Sequence, residues 1–208
     1  MNVKAAIIGM GIGKKHLEAI DHYKNSEVKV ICEKDPKKIK SLKKKFKDKI
    51  ITNKENDIFK SNEINLVSIA SYDNFHFNQI IKCIKSNKNI IVEKPMCMNL
   101  DQLKLIFKLL KQNKKVKMTS NLVLRTTSLF KSFKKKINTN DLYYVEGDYI
   151  WGRRNKLYGW RSKIKNYSVT LGAGIHMIDL IMWLTQLKPK SVTAHANKKV
   201  TSKSKFKK

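Results

Sequence analysis

The sequence predicts an α/β fold in which a doubly wound parallel sheet is followed by part of a second, α+β domain. Short runs rich in Val and Ile alternate with helical patterns from residue 3 to residue 120, as in a parallel sheet with crossover helices. A glycine cluster follows the first run, where a strand turns into a helix. Polar residues end the later runs, at the edge where such sheets bind ligands.

The first strand and the loop after it carry the clearest functional signal. Residues 3–8 are apolar apart from Lys4 and run into a Gly-x-Gly-x-Gly cluster at Gly9, Gly11 and Gly13, after which a helix is predicted. Gly9 permits the tight turn, Gly11 lets the backbone approach a pyrophosphate, and the helix N-terminus supplies free N–H donors. The cluster is shorter than the usual Gly-x-Gly-x-x-Gly, but its position between strand and helix predicts a dinucleotide-binding domain of the Rossmann type.

A carboxylate ends the second predicted strand, residues 28–32. Glu33 stands there, where a carboxylate accepts hydrogen bonds from the adenosine ribose hydroxyls of a dinucleotide. Because it also repels a 2′-phosphate, Glu33 favours NAD over NADP, while the neighbouring Lys34 softens this preference and leaves NADP possible. The alternative is that Glu33 is a solvated loop residue.

A further buried strand ends in two charged residues. Residues 90–92 form a continuous β-branched run, typical of a strand buried on both faces, and Glu93, Lys94 and Pro95 follow it. The charged pair either closes the strand as an ordinary polar loop or faces a ligand. The other elements predicted for this domain share the same alternation: a helix at 36–46 capped by Asp35, a strand at 50–51, a short helix around 58–59, a strand at 64–70, a helix through 80–84, a helix at 100–112 and a strand at 116–120.

The pattern changes after about residue 121, and we predict three regions: a dinucleotide-binding domain at 1–121, a truncated α+β domain at 122–197 and a disordered lysine-rich tail at 198–208. In the second domain, residues 141–151 and 192–196 are predicted as strands. Gly172, Ala173 and Gly174 introduce a strongly apolar helix that carries His176 and Asp179. These two are three residues apart, so they lie on one helix face.

The net charge of +29 invites a nucleic-acid interpretation, but the residue types disfavour it. Of the 45 basic residues only four are arginine, the side chain preferred for reading bases, and the lysines are spread over most helices and loops. We therefore expect no specific nucleic-acid partner.

No apolar run is long enough for a membrane span, and the N-terminus lacks a signal-peptide pattern. Three scattered cysteines without metal-ligand spacing predict reduced thiols in a cytoplasmic protein, without a metal site.

Together these segments resemble the Gfo/Idh/MocA family, the glucose–fructose oxidoreductase and inositol dehydrogenase group of sugar-oxidising enzymes. The resemblance covers nearly the whole chain and is carried by these pieces in order: residues 7–16, Glu33, residues 71–76, Glu93-Lys94-Pro95, Asn121 with Arg125, Trp160-Arg161, and the Gly-Ile-His-Met-Ile-Asp segment at 174–179.

The resemblance implies an NAD(P)-dependent enzyme that moves a hydride between the nicotinamide and a hydroxyl of a sugar, nucleotide-sugar or cyclitol. It implies catalytic roles for Lys94 and His176, with Pro95 in a cis bond. The implied cofactor-binding residues are Gly9, Gly11, Ile12, Gly13, Glu33, Ser71, His76 and Glu93. The implied substrate-binding residues are Asn121, Arg161 and Asp179.

The residue types suit this chemistry. Removing a hydride from a secondary alcohol requires an acceptor for the hydroxyl proton, and a lysine amine beside a cationic nicotinamide is deprotonated more easily than one in water. His176 could share or relay that proton; the alternative is a satisfied histidine on a buried helix. Arg153, Arg154 and Arg161 suggest an anionic substrate, although three arginines in a polar loop are equally well explained as solvated surface.

Two departures from the family pattern stand out. Many members carry Asp four residues before the histidine, where this chain has Gly172. Family members also run well beyond this length, so the second domain is expected to hold only part of an open-faced antiparallel sheet and to leave the interface of a homo-oligomer incomplete. The alternative function is therefore a catalytically weakened dinucleotide-binding protein with an incomplete substrate domain.

Overall fold

The computed structural model describes residues 2–153, 158–165 and 167–197. By its internal contacts the chain divides into two compact units, Met1–Asn121 and Leu122–Lys208. The predicted tail at 198–208 and Arg154 lie outside the described residues. In the described part, no helix combines the length and the apolar composition needed to cross a membrane.

The first unit is built on a six-stranded parallel sheet, which confirms the predicted Rossmann fold. Its strands are β1 (Val3–Ile8), β2 (Ser26–Cys32), β3 (Ile50–Thr52), β4 (Leu66–Ile69), β5 (Asn89–Val92) and β6 (Met118–Ser120). They lie in the order β3-β2-β1-β4-β5-β6. The chain reverses its direction of travel across the sheet between β1 and β4, which is the point where such sheets bind dinucleotides.

Five helices connect these strands, close to the predicted positions. They are α1 (Gly13–His22), α2 (Pro36–Lys45), α3 (Glu55–Lys60), α4 (His76–Lys85) and α5 (Leu100–Gln112). The predicted cap of α2 is present, since the Asp35 side chain accepts hydrogen bonds from the backbone N–H groups of Lys37 at 2.9 Å and Lys38 at 3.4 Å.

The continuous apolar runs are explained by burial on both faces of the sheet. In β1, Ala5 and Ile7 belong to one core cluster, whereas Ala6 and Ile8 belong to the other. Successive side chains of a strand point to opposite faces, so a strand covered on both sides needs apolar residues at every position.

The second unit contains two α-helices, α6 (Ser128–Lys136) and α7 (Ile175–Thr185), in its described residues. A π-helical turn, Thr170–Gly174, leads into α7. The strands expected at 141–151 and 192–196 are not formed. A strand is stabilised by pairing with a neighbour, and no such neighbour exists among the described residues of this unit. Tyr143 and Ile150 are accordingly 98% and 93% exposed.

Candidate active site

The three glycines of the loop after β1, Gly9, Gly11 and Gly13, have different structural roles. Gly9 has a φ of 90°, and a Cβ atom there would lie 2.6 Å from the carbonyl oxygen of Ala70, so only glycine fits. A Cβ on Gly13 would lie 2.9 Å from Ile7 Cγ2, so this glycine lets α1 pack closely on the sheet. A Cβ on Gly11 would meet nothing within 4 Å, which leaves the backbone open to a ligand. Ile12, beside it, is 51% exposed.

Glu33 is a buried, oriented carboxylate at the end of β2, which excludes the alternative of a solvated loop residue. Its Oε2 accepts a hydrogen bond from Met10 N at 3.0 Å, and its Oε1 accepts from Lys34 N at 2.8 Å and Asp35 N at 3.2 Å. Lys38 Nζ lies 3.8 Å from Oε2. These contacts join Glu33 to the glycine loop. A carboxylate has about four acceptor positions, so capacity remains for a ribose hydroxyl.

The loops that follow β4 and β5 are tied together by His76. Its side chain is fully buried, with Nδ1 at 2.8 Å from the carbonyl oxygen of Pro95 and Nε2 at 3.2 Å from that of Ser71. Ser71 Oγ donates to Gln79 Oε1 at 2.7 Å. An enclosed ring cannot touch a cofactor directly, so the side chain of His76 supports the loops. The cofactor-binding role that the resemblance implied for Ser71 and His76 stays a prediction for the turn that this side chain holds in place.

Glu93 lies at the centre of a partly buried polar cluster at the end of β5. Its Oε1 accepts hydrogen bonds from His16 Nε2 at 2.9 Å and from Asn121 Nδ2 at 2.6 Å, and His16 Nδ1 lies 2.7 Å from Ser68 Oγ. Burial by itself raises the pKa of Glu93, but the hydrogen bonds from His16 and Asn121 and the one from the backbone of Lys94 outweigh it and lower the pKa below its usual value. The carboxylate is therefore ionised near neutral pH.

Lys94 follows Glu93 and is half-buried at the carboxyl edge of the sheet. The peptide bond between Lys94 and Pro95 is cis, as the resemblance implied. Glu93 and Lys94 thus stand beside one another after β5, on the side of the β1/β4 switch point opposite to Glu33. An extended dinucleotide binds across such a switch point, with one nucleotide half on each side.

In the second unit, His176 and Asp179 both lie on α7, as predicted. The Asp179 carboxylate is paired with Arg125 through two hydrogen bonds: Arg125 Nε donates to Oδ2 at 2.8 Å, and Nη2 donates to Oδ1. The hydrogen bond to Asp179 raises the pKa of the Arg125 guanidinium. A bidentate pair of this kind fixes the orientation of the carboxylate as well as its charge.

The structure explains why glycine occupies position 172. A Cβ atom on Gly172 would lie 1.8 Å from the hydroxyl oxygen of Tyr167, so a side chain and this tyrosine cannot both be accommodated.

The hydroxyl of Tyr167 accepts a hydrogen bond from Arg161 Nε at 2.9 Å. The Arg161 guanidinium lies 4.1 Å from the ring centroid of Trp160. Arg161 is thus held in place by two aromatic neighbours, whereas Arg153 is exposed.

Two members of the Glu93 cluster, His16 and Ser68, were not predicted as site residues, although His16 ends the first segment that carries the family resemblance. Both leave a weak signal in the sequence. His16 is the single histidine in the lysine-rich first turns of α1, and Ser68 is a polar residue inside the apolar run of β4. The predicted cofactor residues Gly9, Gly11, Glu33, Ser71 and Glu93 all come to the carboxyl edge of the same sheet.

Comparison with curated proteins finds relatives of similar type. The chain is 26% identical over 211 residues to a glucose-6-phosphate 3-dehydrogenase of Bacillus subtilis, covering 96% of this chain and 59% of the relative. It is 25% identical over 202 residues to a scyllo-inositol 2-dehydrogenase (NADP(+)) of the same organism, covering 93% of this chain and 54% of the relative. The chain thus spans little more than half the length of the curated relatives it matches.

Solved structures show the same fold. A myo-inositol 2-dehydrogenase from Lactobacillus plantarum superposes with a TM-score of 0.77 at 19% identity, covering 89% of this chain and 57% of that one. A scyllo-inositol dehydrogenase from Lactobacillus casei, with bound NAD(H) and scyllo-inositol, superposes with a TM-score of 0.75 at 18% identity, covering the same shares.

The sequence profile of the Gfo/Idh/MocA group, described as an oxidoreductase family with an NAD-binding Rossmann fold, matches residues 3–121. The match covers the whole sheet and the loops that carry the glycine cluster, Glu33 and Glu93. The chain therefore belongs to the Gfo/Idh/MocA oxidoreductase family.

Proposed function

We propose that this protein is a dehydrogenase that transfers a hydride between NAD and a ring hydroxyl of a sugar, nucleotide-sugar or cyclitol, with NADP as a possible second cofactor. The observation that carries the proposal is the pair Glu93 and Lys94 at the end of β5, opposite Glu33 across the switch point. This arrangement offers an adenosine-binding carboxylate on one side and a carboxylate with an amine on the other. The exposed backbone at Gly11 lies in the loop after β1 and fits a pyrophosphate.

Lys94 is the proposed acid–base group. A bound nicotinamide would supply the acceptor for the hydride of the carbinol carbon, or its donor in the reverse direction. In the oxidation the neutral amine of Lys94 accepts the hydroxyl proton while the C–O bond becomes a carbonyl, so that charge and electrons balance. In the reduction the ammonium of Lys94 returns the proton to the oxygen. Glu93 is proposed to hold the ribose next to the nicotinamide.

The second unit supplies the proposed substrate contacts. His176 is the proposed second polar group at the reacting hydroxyl, with Asp179 oriented by Arg125 for a further hydroxyl. Tyr167 engages the Nε atom of Arg161, and a guanidinium carries further donors on its two terminal nitrogens. We therefore include phosphorylated sugars among the substrates, which agrees with the name of the glucose-6-phosphate relative.

The test is turnover on a substrate panel that contains myo-inositol, scyllo-inositol, glucose, glucose 6-phosphate and a nucleotide-sugar, followed by NADH absorbance. Lys94→Ala should lower turnover by about two to four decades, the usual loss for a general acid–base group, while NAD binding stays nearly intact. Lys104→Ala, an exposed lysine of α5, is the matched control and should change neither quantity.

Two results would contradict the proposal in different ways. Turnover that survives Lys94→Ala would remove this residue from the mechanism. Stoichiometric NADH binding without turnover on any member of the panel would favour the alternative, a dinucleotide-binding protein with an incomplete substrate domain.

A further inference from the structure

A partly buried chain of four polar side chains lies at the carboxyl edge of the sheet, and the proposed chemistry does not use all of it. It runs from Ser68 on β4 through His16 on α1 to Glu93 after β5, and Asn121 closes it from the end of β6. The side chains of His16 and Glu93 are only 10% and 14% exposed, and Ser68 is fully buried. Buried polar groups that satisfy one another in this way fix each other's orientation.

The direction of each hydrogen bond follows from the charge of Glu93. An ionised carboxylate only accepts hydrogen bonds, so the Nε2 atom of His16 must carry the proton that it donates to Oε1. The neutral ring then accepts from the Ser68 hydroxyl at Nδ1, and a protonated ring would donate to it. In either state His16 remains a donor to Glu93. The 3.4 Å approach of Asn121 Nδ2 to His16 Nε2 is then a contact between two donors, and Asn121 donates to Glu93.

The order serine, histidine, carboxylate is also that of a hydrolytic triad, but this chain cannot act as one. Ser68 is fully buried in the middle of β4, with neighbouring strands on both sides. A nucleophile must reach its substrate, so the serine orients the imidazole instead of attacking a substrate.

His16 lies between the glycine loop and Glu93, and this position indicates its role. It lies in the first turn of α1, the helix whose N-terminus follows the glycine loop, and its imidazole reaches across to Glu93 after β5. It therefore links the element that fits the pyrophosphate to the carboxylate on the far side of the switch point. Asn121, bonded to the same oxygen, fixes that carboxylate from the next strand.

We propose that His16 is a positioning residue that, with Asn121, holds the Glu93 carboxylate in the orientation that receives the hydroxyls of the ribose attached to the nicotinamide. The inference rests on the proposed function, because it assumes that the nicotinamide half binds beside Glu93. We expect His16 to contribute to the binding of the nicotinamide half of the cofactor and not to the binding of the adenosine half.

Calorimetric titration with NAD+, ADP-ribose and ADP tests this on the full chain. ADP carries only the adenosine half and the pyrophosphate, whereas ADP-ribose adds the second ribose without nicotinamide. His16→Leu should weaken NAD+ and ADP-ribose by roughly tenfold, the value of a hydrogen bond to a charged group, and leave ADP unchanged. His16→Gln, whose amide can still donate to Glu93, should restore much of the loss.

A double-mutant cycle completes the test. Because His16 acts through Glu93, the effects of His16→Leu and Glu93→Gln on NAD+ affinity should not add. Equal losses for ADP and NAD+ would show that His16 only supports α1, and unchanged NAD+ affinity or strict additivity would likewise overturn the inference. A wild-type chain that binds ADP but neither NAD+ nor ADP-ribose would instead overturn the proposed function itself.

Discussion

At the scale of single residues, the best-defined feature is a carboxylate whose hydrogen bonds come from backbone. Glu33 receives N–H donors from Met10, Lys34 and Asp35, so its position is set by the glycine loop on one side and by the start of α2 on the other. Lys34 and Lys38 lie close by, and Lys34 Nζ is directed to Glu55 Oε1 at 3.4 Å and to the ring of Phe75. The negative charge of Glu33 is thus only partly balanced by Lys38.

This arrangement predicts the cofactor preference of a variant. Glu33→Ala should weaken NAD by about tenfold, because a hydrogen bond from the ribose to a charged group is lost, and should weaken NADP less because a repulsion with the 2′-phosphate is lost as well. Dissociation constants for both cofactors give the result. Glu63→Ala, which removes an exposed glutamate paired with Lys4, is the control. Equal losses for NAD and NADP would remove Glu33 from cofactor discrimination.

At the scale of elements, the entrance to α7 shows how one glycine permits a local structure. The π-helical turn Thr170–Gly174 precedes α7, and the Tyr167 hydroxyl fills the space beside Gly172. Tyr167 is 4% exposed and bonded to Arg161. The turn that leads into α7 is therefore packed against a tyrosine that leaves no room for a side chain at position 172.

Two glycines in this turn provide a matched pair of variants. Gly172→Ala places a methyl group on the Tyr167 hydroxyl and should destabilise the fold by about 1–3 kcal/mol, the usual cost of overpacking. Gly174→Ala should be nearly neutral, because its Cβ would lie 3.6 Å from Thr170 Cγ2, an ordinary contact. Thermal unfolding measures both. The double variant Gly172→Ala/Tyr167→Ala should be less destabilised than the sum of its two single variants, and strict additivity would contradict the proposed clash.

At the scale of the whole molecule, the dominant property is a net charge of +29. Lysines occupy the solvent-facing positions of most helices, as in α2, whose sequence is Pro-Lys-Lys-Ile-Lys-Ser-Leu-Lys-Lys-Lys. Charge spread in this way attracts any polyanion without recognising its sequence.

We predict that duplex DNA binds this protein only electrostatically. Its affinity should fall by about two or more decades between roughly 50 and 200 mM salt, because each neutralised phosphate releases a counterion. NADH binding, which depends on a built site, should change far less over the same range. Fluorescence anisotropy with labelled DNA, beside NADH titrations in the same buffers, gives both curves. Saturable DNA binding that persists at physiological salt would contradict the prediction and favour a nucleic-acid function.

Local sequence determined most of the first unit. Short, mainly apolar runs at β1, β4 and β5 mark strands buried on both faces. Asp35 and Pro36 mark the start of α2, and the glycine cluster marks the dinucleotide loop. Each of these signals depends on the preferences of a few consecutive residues. The family, the sheet and its ligand-binding edge could therefore be read from the sequence.

Tertiary structure decided which distant residues meet. His16 and Glu93 are 77 positions apart, and their hydrogen bond follows from the packing of α1 on the sheet, which no local pattern encodes. The contact between Tyr167 and Gly172 likewise depends on how the turn before α7 folds back. Residues 141–151 show the converse: their alternation suits a strand, but the described chain offers them no pairing partner. The alternation of apolar and polar residues indicates which side chains favour burial. A strand forms only where a second strand supplies the backbone hydrogen bonds.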